Sequence, residues 1–143
     1  MDMHELKPEA VSHLTYKYSK VVCEHEGKSF DFLCISFDGI YGGTASVKDD
    51  TAFMEGIIAQ AVYIWPTECL VIDLARLEYE WGNSIVRMLN PVETFLQDGI
   101  MSCVIVTPAV GKKAFGDMMR ASEYRSIPLA DSIEQVVAQF ARP

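Results

Sequence analysis

Residues 69–74 read Cys-Leu-Val-Ile-Asp-Leu, a nearly continuous apolar run near the middle of the 143-residue chain. A strand with one face in water alternates apolar and polar side chains, whereas a strand covered on both faces does not. The run at 101–107, Met-Ser-Cys-Val-Ile-Val-Thr, has the same character. We therefore predict two central strands that lie side by side, point the same way and are covered by helices.

The segment before the first run has the spacing of a helix that packs through one face. The apolar residues that recur at intervals of three and four are Phe53, Ile57, Ile58, Ala61 and Ile64. We expect the carboxylate of Asp49 or Asp50 to cap the start of this helix. Pro66 should end it, because the residue before a proline avoids the helical conformation.

Three further helices are predicted from stripes and capping patterns. Residues 84–97 carry an apolar stripe with Asn90-Pro91 inside it, which predicts a kink or break near Asn90. Pro108 should open a helix that extends to about residue 121. The run Asp131-Ser132-Ile133-Glu134 has the pattern of a capping box, so the last helix should start there.

The chain should begin with an arm at residues 1–14 and continue with a β-hairpin. Two β-rich runs, 15–24 and 29–37, flank residues 26–28, Glu-Gly-Lys, whose composition is that of a hairpin turn. Residues 125–129 read as a short strand, expected at a sheet edge because it contains a proline.

The predicted order of elements is β-β-α-β-α-β-α-β-α. Successive β-α-β units impose parallel pairing and right-handed connections. We therefore predict one α/β domain at residues 15–143, with a mixed, mainly parallel sheet, an N-terminal β-hairpin and about four helices.

Composition disfavours several classes of partner. The formal net charge is −8 and no run of Lys and Arg interrupts it, so neither nucleic acid nor anionic lipid is expected to bind. No apolar stretch approaches the roughly 20 residues that span a bilayer, so no membrane association is expected. The four cysteines lie inside apolar runs and none forms a Cys-x-x-Cys pair. This pattern indicates free core thiols, a cytoplasmic location, and neither metal nor cofactor.

A glycine-rich connection, with Gly39, Gly42 and Gly43, lies between a strand and a helix. Such a loop can cradle a phosphate at a helix N-terminus. Asp49 and Asp50 at this helix start would repel an anion, so we interpret the connection as a flexible turn.

The loop after the run at 69–74 is the expected functional site, because open α/β sheets bind ligands outside the carboxyl ends of their strands. Glu78 and Glu80 flank Tyr79, and alternation along an extended chain places both carboxylates on one side. They could be solvated charges, contacts for a partner, or a pair that does acid–base chemistry or binds a divalent ion.

Trp81 is the most informative residue of this loop. A large aromatic side chain here is either a lid over the core or an anchor for a partner or ligand. Gly82, Asn83 and Ser84 follow at a predicted helix start, where the first N–H groups have no partner within the helix. The segment 107–113 after the next strand, which includes Lys112, is expected to support the same surface.

Four segments carry a resemblance to a known family. They are Phe-Asp-Gly at 37–39 followed by the helix from Asp50, Leu-Val-Ile-Asp-Leu-Ala-Arg-Leu-Glu-Tyr at 70–79, Val-Ile-Val-Thr-Pro at 104–108, and Ile-Pro-Leu-Ala-Asp-Ser-Ile-Glu-Gln-Val-Val at 127–137. Over about 100 residues these segments resemble a STAS domain, the fold of bacterial anti-sigma-factor antagonists and of the cytoplasmic tails of sulfate transporters. The resemblance implies a STAS-like fold and a regulatory, protein-binding module.

The resemblance also points to a switch position from which this chain departs. In the antagonists a Ser or Thr in an Asp-Ser-Ser/Thr-Gly type of segment is phosphorylated, and the added charge blocks partner binding. This chain has Trp81-Gly82-Asn83-Ser84 instead. Gly82 or Asn83 falls nearest the phosphorylated position and neither can accept phosphate, while Ser84 lies one residue away.

The leading expectation is a non-catalytic module that engages a protein partner or a small ligand. Its contact residues would be Glu78, Glu80, Trp81, Gly82, Asn83, Ser84 and Lys112. The alternative is a small enzyme with Glu78 or Glu80 as general base. A weaker resemblance to crotonase-like folds implies a variant of this alternative, with Gly82 in an oxyanion hole. A homodimer formed through edge strands or exposed helices is a third possibility.

Overall fold

The computed structural model describes residues 1–43 and 45–140, apart from the side chain of His25. Thr44 in the glycine-rich connection and the last three residues of the predicted domain lie outside the described residues. In chain order the elements are β1 (Thr15–His25), β2 (Lys28–Ile40), α1 (Val47–Ile64), β3 (Cys69–Glu78), a 3-10 helix (Asn83–Val92), α2 (Glu93–Gln97), β4 (Ser102–Val106), α3 (Lys112–Arg120), β5 (Leu129–Ala130) and α4 (Ile133–Phe140). The arm contains a single 3-10 turn at Pro8–Ala10.

The five strands form one sheet in the order β1-β2-β3-β4-β5. β1 and β2 are antiparallel, and every other neighbouring pair is parallel. Between the two central strands the register runs from Cys69 beside Ser102 to Asp73 beside Val106. The predicted parallel centre and the predicted N-terminal hairpin are therefore both confirmed.

Helices cover both faces of the sheet. The larger core lies between one face and α1, the 3-10 helix and α3, and its fully buried side chains include Ile35, Met54, Ile58, Leu70, Ile72, Leu74, Ile85 and Phe115. On the other face α4 packs through Val136 against Phe32, Cys34, Val71, Val104, Val106 and Ala130. This two-sided burial explains why the central strands do not alternate between apolar and polar residues.

β3 is longer than predicted and continues through Glu78. Between the pair Ser36–Asp73 and the pair Asp38–Arg76, β3 has one residue more than β2, so β3 contains a bulge. Beyond this bulge Ile40 pairs with Glu78. The first residues after Leu74 are therefore strand rather than loop. A bulge depends on pairing with another strand, so the apolar run alone did not reveal this extension.

The predicted cap of α1 is wrong. The side chain of Ser46 accepts a hydrogen bond from the backbone N–H of Asp49 at 3.1 Å, so Ser46 is the N-cap. Asp50 lies within the first turn and is buried. Because a hydroxyl can accept this bond as well as a carboxylate can, the sequence offered several candidates within four residues.

Three other predicted boundaries also differ. Helix formation does break near Asn90, but the part before the break, Asn83–Val92, is a 3-10 helix that contains Pro91. β5 has only two residues instead of five. The capping pair of α4 lies one residue later than predicted, since Ser132 accepts from the N–H of Gln135 and the Gln135 side chain accepts from the N–H of Asp131.

α3 begins at Lys112, four residues after the predicted start at Pro108. The intervening backbone bonds to β3 and its following loop: the N–H of Ala109 donates to the carbonyl of Ala75, and the carbonyl of Val110 accepts from the N–H of Tyr79. These non-local hydrogen bonds hold residues 109–111 in a bend and a turn, so the helix starts only after Gly111. Among the described residues, no helix is both long and apolar enough to cross a membrane.

Candidate functional site

The candidate site lies at the carboxyl ends of the parallel strands. Ile40 ends β2, Glu78 ends β3, and these two residues are paired in the register. The segment after β4 reaches the same edge, because the carbonyl of Val110 accepts a hydrogen bond from Tyr79. Three chain segments that are distant in sequence therefore meet around the loop at 79–82.

Tyr79 holds this loop to the core. Its side chain is buried, and its ring packs edge-on against Phe115 with centroids 5.5 Å apart. Its hydroxyl donates to the carbonyl of Gly82 at 2.9 Å, which closes the loop on itself. Burial raises the pKa of this hydroxyl above its ordinary value, so it remains a donor at neutral pH.

Glu78 and Glu80 are exposed, and Tyr79 between them is buried. The described residues contain no cluster of three or more His, Cys, Asp or Glu side chains that could hold a metal ion. The two carboxylates are therefore exposed charges beside the loop.

Tyr41 contacts Gly82 and Ser84, at the end of this loop and just after it. Its hydroxyl is within hydrogen-bond distance of the Thr51 hydroxyl, at 2.6 Å, and of the Ser84 hydroxyl, at 3.2 Å. Gly82 lies against this ring with φ of 118°, and a Cβ there would come within 3.2 Å of it. The loop thus needs a glycine at this position, both for its backbone angle and for the close approach.

Trp81 is exposed over 67% of its side chain, so the interpretation of this residue as a lid over the core is wrong. The aromatic residue of this segment that is buried in the core is Tyr79. Ile40, 57% exposed, and Val110, 53% exposed, are the apolar residues of the two neighbouring segments. We call Ile40, Trp81 and Val110, together with Glu78 and Glu80, the carboxyl-edge surface.

Ile40 and Tyr41 were not predicted as part of the site, and Val110 was expected only as one residue of the supporting segment 107–113. Ile40 was expected in the glycine-rich connection after residue 37, and Val110 in the first turn of the helix predicted from Pro108. The positions of Ile40 and Val110 beside residues 78–79 depend on the bulge in β3 and on the hydrogen bond between Val110 and Tyr79. Neither feature leaves a local signal in the sequence.

The other predicted site residues, Asn83, Ser84 and Lys112, are not part of the carboxyl-edge surface. Asn83 is exposed at the start of the 3-10 helix, and Ser84 is half-buried beside Tyr41. Lys112 forms an ion pair with Asp131, with Nζ and Oδ1 2.6 Å apart, and so connects the start of α3 to the segment before α4. The charge of Lys112 is therefore paired with Asp131 rather than with Glu78 or Glu80.

Three surface cavities, of about 550, 340 and 730 Å³, are lined by residues other than those of the 78–84 loop. The first lies between β1, β2 and the end of α1, with Tyr18 and Trp65 in its wall. The second lies on the face opposite α1, over Ser36, Asp73 and their neighbours. Neither Glu78 nor Glu80 lines any of these three cavities.

No profile of a known protein family and no curated protein matches the sequence. A comparison of folds does find a match. The crystal structure of an anti-sigma factor antagonist from Mycobacterium paratuberculosis superposes with a TM-score of 0.51 and 17% sequence identity, over 89% of this chain and 96% of that chain. The chain therefore has a STAS-like fold, as its sequence resemblance implied.

Proposed function

We propose that this chain is a non-catalytic regulatory module that binds a protein partner through the carboxyl-edge surface. The observation that carries the proposal is the exposure of Trp81 on a loop whose backbone is held by buried Tyr79. A large aromatic side chain that is presented rigidly loses little conformational entropy on binding, which is why such residues dominate protein interfaces. Ile40 and Val110 enlarge the apolar centre.

Charge at this surface favours a basic partner. Glu78 and Glu80 flank the apolar residues, and the whole chain carries a formal net charge of −8. Acidic groups at the rim of an interface steer a partner of opposite charge and raise the association rate more than the affinity. Binding should therefore slow as salt concentration rises.

The fold supports a protein partner over a small ligand. The solved structure with a similar fold is described as an anti-sigma factor antagonist, and the described cavities lie away from the loop. We also infer that regulation does not use phosphate at position 82 or 83, since Gly82 and Asn83 lack a hydroxyl. A small ligand remains the second candidate, and we retain the cytoplasmic location as a proposal supported by free thiols.

Replacement of Trp81 tests this proposal. Tagged wild-type chain and Trp81→Ala are used to capture proteins from a lysate of the source cells, and the captured proteins are identified by mass spectrometry. We expect at least one protein to be lost with Trp81→Ala, and its purified form to bind the variant about tenfold or more weakly, as for a central aromatic anchor. Circular dichroism should show the same secondary structure and the same midpoint of thermal unfolding for Trp81→Ala and the wild type.

Tyr63→Ala is the matched control, because Tyr63 is 72% exposed on α1. It removes an exposed aromatic ring of similar kind from another surface and should leave the captured set unchanged. An identical set of captured proteins from wild type and Trp81→Ala would rule out this surface. Catalytic turnover that Glu80→Gln abolishes would instead favour the enzyme alternative.

Self-association is a separate proposal from partner binding. It uses another surface of the molecule, the free edge of the sheet at β1.

A further inference from the structure

β1 is the long free edge of the sheet. Within the described residues it pairs only with β2, and its register is unbroken from Thr15 beside Asp38 to His25 beside Lys28. The strand has 11 residues with neither Gly nor Pro. Proteins usually shorten, bulge or cover such edges, because unpaired N–H and C=O groups invite another strand. The opposite edge, β5, has only two residues.

The hairpin turn determines which backbone groups of β1 point away from β2. β1 and β2 are joined by a two-residue turn, so His25 and Lys28 form the closing hydrogen-bonded pair. Backbone groups alternate in direction along an antiparallel strand. The N–H and C=O groups of the even-numbered residues of β1 therefore point away from β2, toward solvent.

The side chains of these even-numbered residues lie on the α1 face. Tyr18 belongs to this row, since its hydroxyl donates to the carbonyl of Ile57 in α1 at 2.6 Å. Lys20, Val22 and Glu24 continue the row toward the hairpin and are exposed, Val22 over 61% of its side chain. The outer edge thus presents an apolar residue between a cation and an anion.

This pattern is complementary to itself. When two antiparallel strands are related by a two-fold axis perpendicular to the sheet, opposite residues share a face and the same pairs occur twice. With the axis at Val22, the two valines meet and each Lys20 lies opposite Glu24 of the second copy. An axis at Lys20 would oppose two lysines, and an axis at Val21 would oppose Lys20 to Val22.

We propose that this chain forms a symmetric dimer in which the β1 edges of two copies pair antiparallel around Val22. The pairing joins two five-stranded sheets into one continuous sheet and buries the exposed valines. It satisfies the outward backbone groups of β1 with those of the second copy. The proposal does not rest on the carboxyl-edge surface, which lies at the ends of β2 and β3.

Charge reversal tests the pairing. Sedimentation equilibrium of the full chain, at about 0.15 M salt so that the net charges of the copies are screened, should show a reversible dimer. Lys20→Glu places two glutamates opposite each other twice, and Glu24→Lys does the same with lysines. Each single variant should raise the dimer Kd about tenfold or more, because two attractive pairs become repulsive.

The double variant Lys20→Glu/Glu24→Lys should restore the wild-type Kd, because it exchanges the charges without changing their complementarity. This outcome separates pairing from a folding defect, and from loss of the ion pair of Lys20 with Asp31, whose nitrogen and oxygen are 3.4 Å apart. Lys17→Glu is the control, since it makes the same change in net charge at an odd-numbered position of β1 and should leave the Kd unaltered.

A monomer at every concentration, a Kd unaffected by the single reversals, or a double variant as weak as the singles would overturn the proposal. The result is independent of partner binding. The single variants should still capture whatever protein depends on Trp81.

Discussion

Asp50 joins three parts of the molecule that are distant in sequence. Its Oδ1 accepts a hydrogen bond from the hydroxyl of Ser12 in the arm, and its Oδ2 accepts from the N–H of Gly42, both at 2.6 Å. The carboxylate is buried in the first turn of α1, where the helix dipole favours a negative charge. The amide of Gly42 is thereby already used, which supports a structural role for the glycine-rich connection rather than phosphate binding.

Asp50→Ala should lower the free energy of unfolding by about 3 kcal/mol, because it leaves the buried hydroxyl of Ser12 and the half-buried N–H of Gly42 without their acceptor. Ser12→Ala should cost about 2 kcal/mol, since it removes one bond of Asp50 and the 3.1 Å bond that the Ser12 hydroxyl accepts from the N–H of Leu14. Asp49→Ala, at an exposed position of the same helical turn, is the control and should cost less than about 1 kcal/mol. Urea denaturation followed by circular dichroism measures all three, and equal losses for Asp49 and Asp50 would contradict this role.

Among the secondary-structure elements, the segment between β4 and α3 holds the loop at 79–82 in position. Gly111 precedes α3 with φ of 91°, and a Cβ at this position would overlap the carbonyl oxygen of Tyr79. Only glycine allows the backbone to approach so closely while its N-terminal neighbour Val110 bonds to Tyr79. The placement of α3 and that of Trp81 are therefore coupled through one backbone contact.

Gly111→Ala should destabilise the protein by more than about 2 kcal/mol, since the strained angle and the overlap act together. Gly56→Ala is the matched control: Gly56 lies inside α1 and a Cβ there would meet no atom within 4 Å. That control should stabilise the protein by about 0.5–1 kcal/mol, because alanine favours the helix. Thermal denaturation of both variants measures the contrast, and a Gly111→Ala variant as stable as Gly56→Ala would refute the contact.

At the scale of the whole molecule, the two-sided core determines how the protein responds to alkali. Burial raises the pKa of Cys34 and of Cys69 to about 11, and that of Cys103 to about 12. The pKa of Tyr18 is raised to about 12, chiefly by burial and also by the neighbouring Tyr16. The folded protein thus keeps protons at pH values where the unfolded chain, with thiols that ionise near pH 9, releases them.

The contribution of these groups to the free energy of unfolding should therefore be complete below about pH 8. It should decline as the pH rises from about 9 toward 12, because the unfolded state loses its protons first. Cys103 alone should contribute a slope approaching about 1.4 kcal/mol per pH unit in that range. Urea denaturation in reducing buffer from pH 7 to pH 11 measures the decline. Cys103→Ala should lower stability at pH 7 yet flatten the alkaline slope, and an unchanged slope would show that this thiol does not contribute.

The kinds of elements and their order could be predicted from local patterns in the sequence. Uninterrupted apolar runs identified strands buried on both faces, Glu26-Gly27 marked the hairpin, and apolar stripes located the helices. These signals are local, since side-chain period and turn composition act over a few residues. The same signals placed Glu78, Glu80 and Trp81 at the carboxyl end of a central strand.

The ends of the strands and the contacts between distant residues depend on how the elements pack together. The bulge that extends β3 to Glu78, the contact of Gly111 with Tyr79 and the outward position of Trp81 all depend on atoms far apart in sequence. Ile40 and Val110 adjoin residues 78–79 for the same reason. Register and close backbone approach are set by packing between elements, and this packing has no counterpart in the periodicity of any one segment.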